Sequence, residues 1–211
     1  MWNGDLKNME NNKPRILNFY VNWQAIKDAC MQTIGKQAGE NEPPKEWKRK
    51  LLICKHSPIR RSLISIKWEK IPSYVSTHFC RHVTATPYVS TSREDRTNVP
   101  REERKQTDHV SMQMDMNIQT LFNITEKRLC LCSDPTTIKY ANGLVEAIRE
   151  YDEDIAWACV PQCIKCGACV EPFGNCKYFE NFAKGLSKEE LTDIMTRYEK
   201  YNEYRDKQKT K

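Results

Sequence analysis

Two cations, an imidazole and a hydroxyl fall within thirteen residues of this chain, as Arg81-His82-Val83, then Thr91 and Arg93. An arginine is a fixed charge whose forked donors fit a phosphate or a ring carbonyl. A threonine hydroxyl beside it completes a compact clamp for an oxyanion. Upstream stand His56-Ser57-Pro58 and His78, and downstream stand Asn117, Asn123 and Arg128. On a helix, Asn123 and Arg128 fall about 240° and about 20° from Asn117 at 100° per residue. Asn117 and Arg128 therefore share a face, where an amide and a guanidinium suit the edge of a planar heterocycle.

These residues must be held by their local elements. Apolar positions at Val21, Ala25, Ala29 and Ile34 have helical spacing, and residues 40–45, with Pro43-Pro44, read as a linker. Ile64, Ile66 and Trp68 alternate with Ser65, Lys67 and Glu69, which predicts a half-buried strand. Pro72-Ser73 ends it, and Ser73 caps a helix from Tyr74 to about Val83 that carries Arg81 and His82 near its C-terminus. Residues 84–108 have no periodicity and two prolines, and read as loop. Residues 116–131 predict a helix burying Ile118, Leu121, Phe122 and Leu129. Asp134-Pro135 opens another, to about Tyr151, and Ser187 with Glu190 forms a capping box for a last helix. This order predicts an α+β fold with a central antiparallel sheet flanked by helices. The division expected is a flexible N-terminus (1–15), a catalytic domain (16–180) and a C-terminal helix with a charged tail (181–211).

Lysine and arginine total 34 against 28 aspartates and glutamates, a net charge of +6. That balance suits an anionic small molecule. The charges are interleaved rather than concentrated, so nucleic acid is not the expected partner. No apolar run approaches the roughly 18 residues that span a bilayer, and residues 1–12 lack a signal-peptide core. A cytoplasmic protein is expected, in which the ten cysteines are thiols or metal ligands rather than disulfides.

Taken together, these pieces resemble the flavin-dependent thymidylate synthases. That family carries Arg-His-Arg, seven residues, a serine, and an arginine two positions later, matched here by Arg81, His82, Val83, Thr91 and Arg93. It has a histidine and a Ser/Thr-Pro before a strand, as in His56-Ser57-Pro58. It also has two asparagines six apart and an arginine five beyond, as in Asn117, Asn123 and Arg128. The resemblance covers about residues 50–178. Val83 replaces the motif's second arginine, Val89 stands in place of a glutamate and His78 in place of a glutamine. The resemblance implies reductive methylation of dUMP to dTMP, with FAD as cofactor and NADPH and methylenetetrahydrofolate as co-substrates. Arg128 would be catalytic, polarising the uracil carbonyl, and would also bind substrate. Ser57, Arg81, His82, Asn117 and Asn123 would contact FAD. His78, Thr91, Arg93 and Arg101 would bind dUMP, Arg101 from a neighbouring subunit of a homotetramer with inter-subunit sites.

Cys163-x-x-Cys166-x-x-Cys169, with Cys176 after six further residues, carries a rival signal. The first three have iron–sulfur spacing, and four thiolates can hold zinc. The reading adopted assigns them no metal, as small residues kept reduced. The alternatives are a metal-stabilised nucleic-acid-binding domain and a pyrimidine-nucleotide enzyme of the same fold with another product.

Overall fold

The computed structural model describes residues 12–174 and 176–209. The chain forms a four-stranded sheet, β1 (Arg15–Tyr20), β2 (Leu63–Pro72), β3 (Thr86–Val89) and β4 (His109–Met116), in the order β1-β2-β4-β3. Every neighbouring pair is antiparallel. The helices that bear on the site are α1 (Trp23–Gln32), α2 (Lys45–Cys54), α3 (Ser73–Cys80), α5 (Ile118–Arg128), α6 (Pro135–Arg149), α8 (Gln162–Cys166) and α11 (Ile194–Lys209). The α+β class and the antiparallel sheet agree with the expectation.

The sheet buries one face. Ile64, Ile66 and Trp68 of β2 lie opposite Met116, Met114 and Met112 of β4, and all six are buried. Period-2 alternation puts them on one side, where Trp68 meets Phe79 of α3 and Tyr140 of α6, with ring centroids 5.0 and 6.3 Å apart. The Trp68 indole N–H donates to the Asn12 carbonyl at 2.9 Å. That same carbonyl oxygen crosses α6 so closely that a Cβ on Gly143 would lie 2.5 Å from it. Helix and strand faces thus close on a single core, which Tyr198 and Tyr201 of α11 also join.

Several elements differ from expectation. α3 ends at Cys80, and Pro72 is its N-cap with no side-chain bond, so Arg81 caps the C-terminus and His82 lies beyond it. The segment 84–108 is not continuous loop: it holds β3, the short helix α4 (Glu94–Thr97) and a 3-10 turn (Arg101–Glu103). Strands β1 and β4 and helix α2 were not anticipated. Asp134 caps α6 as expected, accepting from Thr137 N, but α6 stops at Arg149. The Ser187–Glu190 capping box is present, on the five-residue α10 (Lys188–Thr192) rather than on the last helix. Asp193 then accepts from Thr196 N at 2.7 Å and starts α11 afresh.

Candidate functional site

Arg128 is the last residue of α5 and reaches across to the end of α3. Its Nε donates to His82 Nε2 at 3.1 Å and its Nη2 to the His78 carbonyl at 2.6 Å. The first bond fixes the His82 tautomer: Nε2 must be the bare nitrogen, leaving the proton on Nδ1. Burial, and then the Arg128 charge, push the His82 pKa down to about 4, so the ring is neutral at neutral pH. His78 Nδ1 meets Thr137 Oγ1 at 2.7 Å, and Thr137 in turn donates to Asp134 at the start of α6. Burial lowers the His78 pKa, the Arg128 and Arg81 charges lower it further, and Asp134 opposes them.

Arg128 is half-buried, and two causes lower its own pKa: desolvation, and the like charge of Arg81. Among the described residues no carboxylate compensates this pair of guanidiniums. Asp134, which acts on His78, has its Oδ1 committed to the Thr137 backbone and hydroxyl. Two cations that share a site without an acid are stabilised by an incoming anion or carbonyl. Arg128 uses Nε and one Nη2 hydrogen, and the rest of its fork remains for a ligand. A phosphate or a ring carbonyl fits this cluster in charge and donor type.

The other expected residues are less concentrated. Asn117 is the N-cap of α5, its Oδ1 accepting from Thr120 N at 2.9 Å, while Thr120 Oγ1 bonds Thr84. Asn117 therefore sits near the turn after His82, with its amide nitrogen remaining as donor. Asn123 faces away from Asn117 and Arg128, about 120° round α5. Its Oδ1 accepts from Lys55 Nζ at 3.0 Å, and Lys55 also pairs with Glu126 at 2.7 Å. Lys165 joins the same carboxylate at 3.0 Å. Ser57, exposed, opens the 3-10 turn (Ser57–Arg61) just beyond Lys55. On one chain the FAD set thus divides between two faces of α5.

Thr91, Arg93 and Arg101 are not gathered with Arg128. Strand β3 intervenes, so Thr91 leaves at the far end of roughly 20 Å of extended chain from Thr84. Thr91 and Arg93 meet through the backbone, the Arg93 N–H donating to Thr91 Oγ1 at 3.1 Å. The Arg93 cation, however, is occupied by Asp95 in a two-bonded pair, both at 2.9 Å. Arg101 is exposed in its 3-10 turn. Val83 is 95% exposed, so replacing the family's arginine there removes a cation and leaves the core untouched.

No family model and no curated protein matches the sequence. The structure does match. Over 70% of this chain and 99% of the other, it is similar to the flavin dependent thymidylate synthase ThyX of Helicobacter pylori, solved with FAD and dUMP. The TM-score is 0.57 at 11% identity. The chain has a flavin-dependent thymidylate synthase-like fold. Residue identity contributes little to that likeness, which rests on the path of the backbone. Among the described residues no helix is long and apolar enough to cross a membrane.

Sequence reasoning missed Thr137, Lys55, Glu126 and Lys165. A signal existed for Glu126, three residues after Asn123 and hence on the same helical face. None pointed to Lys55 or Lys165. A cavity of about 820 Å³ lies elsewhere, between α6, α11 and the short helix α9 (Tyr178–Ala183), and none of the expected site residues lines it. A smaller one, about 260 Å³, borders Arg128 and is lined by five cysteines.

Proposed function

We propose that this chain is a flavin-dependent enzyme that methylates dUMP to dTMP, with FAD as cofactor and NADPH and methylenetetrahydrofolate as co-substrates. The observation that carries the proposal is the acid-free pair Arg81 and Arg128, set beside neutral His82, on a fold known with FAD and dUMP bound. FAD, held by Ser57, Arg81, His82, Asn117 and Asn123, would supply the redox chemistry. The protein's own task is to orient and polarise. Arg128, held at two atoms, would direct its remaining donors at a uracil carbonyl and stabilise charge there. Arg81, His82 and Asn117 would hold FAD on one face of α5, and Ser57 with Asn123 would hold it on the other. Since one chain separates these faces, and β3 separates Thr91 and Arg93 from Arg128, the complete site would be assembled between copies, as a homotetramer in the cytoplasm. Arg93 would exchange Asp95 for the dUMP phosphate, with His78 and Arg101 as further substrate contacts.

The test is to incubate purified protein with FAD, NADPH, methylenetetrahydrofolate and dUMP, and to weigh the nucleotide product. dTMP is the expected mass. Unchanged dUMP together with no retained flavin would end this reading, and a different modified pyrimidine would place the chain beside the family with another reaction. Sedimentation velocity checks the assembly, a tetramer being expected.

A further inference from the structure

The cavity of about 820 Å³ between α6, α9 and α11 stands apart from the charged clusters on α5, and its size is that of a small-molecule pocket. Its floor is apolar: Ile138 of α6 and Leu129, which caps α5, are both buried. Its wall is aromatic. Tyr178 and Phe182 lie one turn apart on α9 and stack, with ring centroids 6.4 Å apart and planes 16° apart. Tyr204 of α11 meets Tyr178 edge-on at 6.2 Å. A planar apolar body fits among such rings.

One buried cation borders this space with donors to spare. Arg205 of α11 is 8% exposed and forms part of the cavity wall. Its Nη2 donates to Asn202 Oδ1 at 2.6 Å, and its guanidinium lies 5.7 Å from the centre of the Tyr201 ring. Nε and Nη1 are closed to solvent and have no acceptor among the described residues. Neither carboxylate on the cavity wall answers it. Glu190 accepts from Ser187 N of the capping box at 2.8 Å, and Glu203 stands 3.6 Å from Lys200. Arg197, eight residues earlier on the same helix, shows how a purely structural arginine is buried here: its Nε, Nη1 and Nη2 donate to the carbonyls of Ile164, Leu191 and Lys165. Leaving N–H groups of a buried guanidinium unpaired is costly, and the space beside Arg205 in which an acceptor could sit is the cavity.

We propose that this cavity binds an aromatic carboxylate, with its ring system among the α9 and α11 aromatics and its acid group on the guanidinium of Arg205. The apolar floor and the rings supply the burial, and a charge-assisted hydrogen bond fixes the orientation. A single buried cation suits a monoanion, whereas a phosphate dianion would bring a charge that nothing at that depth answers. The cavity shares no residue with the sets assigned to FAD and dUMP, so this site stands whether or not the chain methylates dUMP.

The probe is 2-naphthoate, titrated calorimetrically into the full chain, with 2-naphthylmethanol as the neutral molecule of the same ring system. About one site per chain is expected. Naphthoate should bind roughly tenfold or more tighter than the alcohol, because only the acid draws a charge-assisted bond from Arg205. R205M should bring naphthoate down to the affinity of the alcohol and leave the alcohol's own binding in place. L186W, which puts a larger side chain at the half-buried Leu186 position on the cavity wall, should exclude both probes. No saturable binding, equal affinities for the two probes, or full naphthoate affinity in R205M or in L186W would each overturn the assignment. The comparison of the two probes uses the unaltered chain, so it decides the matter even if R205M fails to fold.

Discussion

Helix α5 presents two clusters of charge that obey opposite rules. On one face Lys55, Asn123, Glu126 and Lys165 form a closed network in which the single Glu126 carboxylate takes both ammoniums. On the other face half-buried Arg128 feels the like charge of exposed Arg81, beside two neutral-leaning histidines and, among the described residues, no balancing acid. The first arrangement needs nothing further and holds the protein together. The second leaves donors and charge uncompensated, which is what a ligand site requires before its ligand arrives. The same helix therefore carries a structural face and a receptive face, and the presence of an acid partner distinguishes them better than residue type does.

Arg128 carries the largest expected effect. R128A should lose roughly 10²–10³ in turnover if the remaining donors stabilise charge on the substrate, read as kcat in the coupled assay with flavin retention as control. Retained turnover would reduce Arg128 to a strut between α3 and α5. On the balanced face the largest effect should be on stability. E126A leaves two half-buried ammoniums facing each other and should cost about 2 kcal/mol, since the pair is only partly screened. Thermal unfolding should show a fall of roughly 4–8 °C, with kcat of the folded fraction preserved.

His82 offers a smaller effect with a definite sign. Its folded pKa lies at about 4, below the ordinary 6.5 of an exposed histidine. Between those values the unfolded chain binds the proton and the folded chain does not, so stability falls as pH drops from 6.5 towards 4. After discounting for solvent, the loss should be roughly 1–2 kcal/mol. Denaturant melts across that window check it, and H82Q should flatten the slope. In R128M the His82 pKa, followed by NMR, should rise, because the second cause of its depression is gone. The smallest effect is N123A, which removes one acceptor from Lys55 and should cost about 0.5–1 kcal/mol. It should leave the Arg128 side unaltered, so the R128A/N123A double variant should add in stability within about 0.5 kcal/mol.

Much of this arrangement was legible where local chemistry is strong. Asp134-Pro135 and Ser187–Glu190 declare helix starts because their side chains satisfy orphan backbone donors nearby. β2 declares itself by alternating β-branched and aromatic residues. β4 carries an equally regular alternation at Val110, Met112, Met114 and Met116, but methionine has little strand preference, so the pattern passes unnoticed until a neighbour pairs with it. β1 and β3 are edge strands, half-exposed, and β3 contains Pro87, which argues against a strand in isolation. For the site, the His82–Arg128 pair lay within the expected set, yet its geometry depends on α3 ending at Cys80, a boundary the sequence places three residues late. The Arg81–Arg93 stretch looked continuous because nothing local reveals that β3 divides it. Cys163, Cys169 and Cys176 line one cavity and Cys166 does not, because linear spacing ignores which way a helix turns.

The crossing of the Asn12 carbonyl over Gly143 carries a consequence for anyone altering this molecule. A library randomised at position 143 should return glycine alone, since even alanine would drive a methyl into that backbone oxygen. Any truncation that removes Asn12 would strip the Trp68 indole of its acceptor and open a furrow along α6. A version lacking Asn12 would report on damage to the core instead of on Arg128.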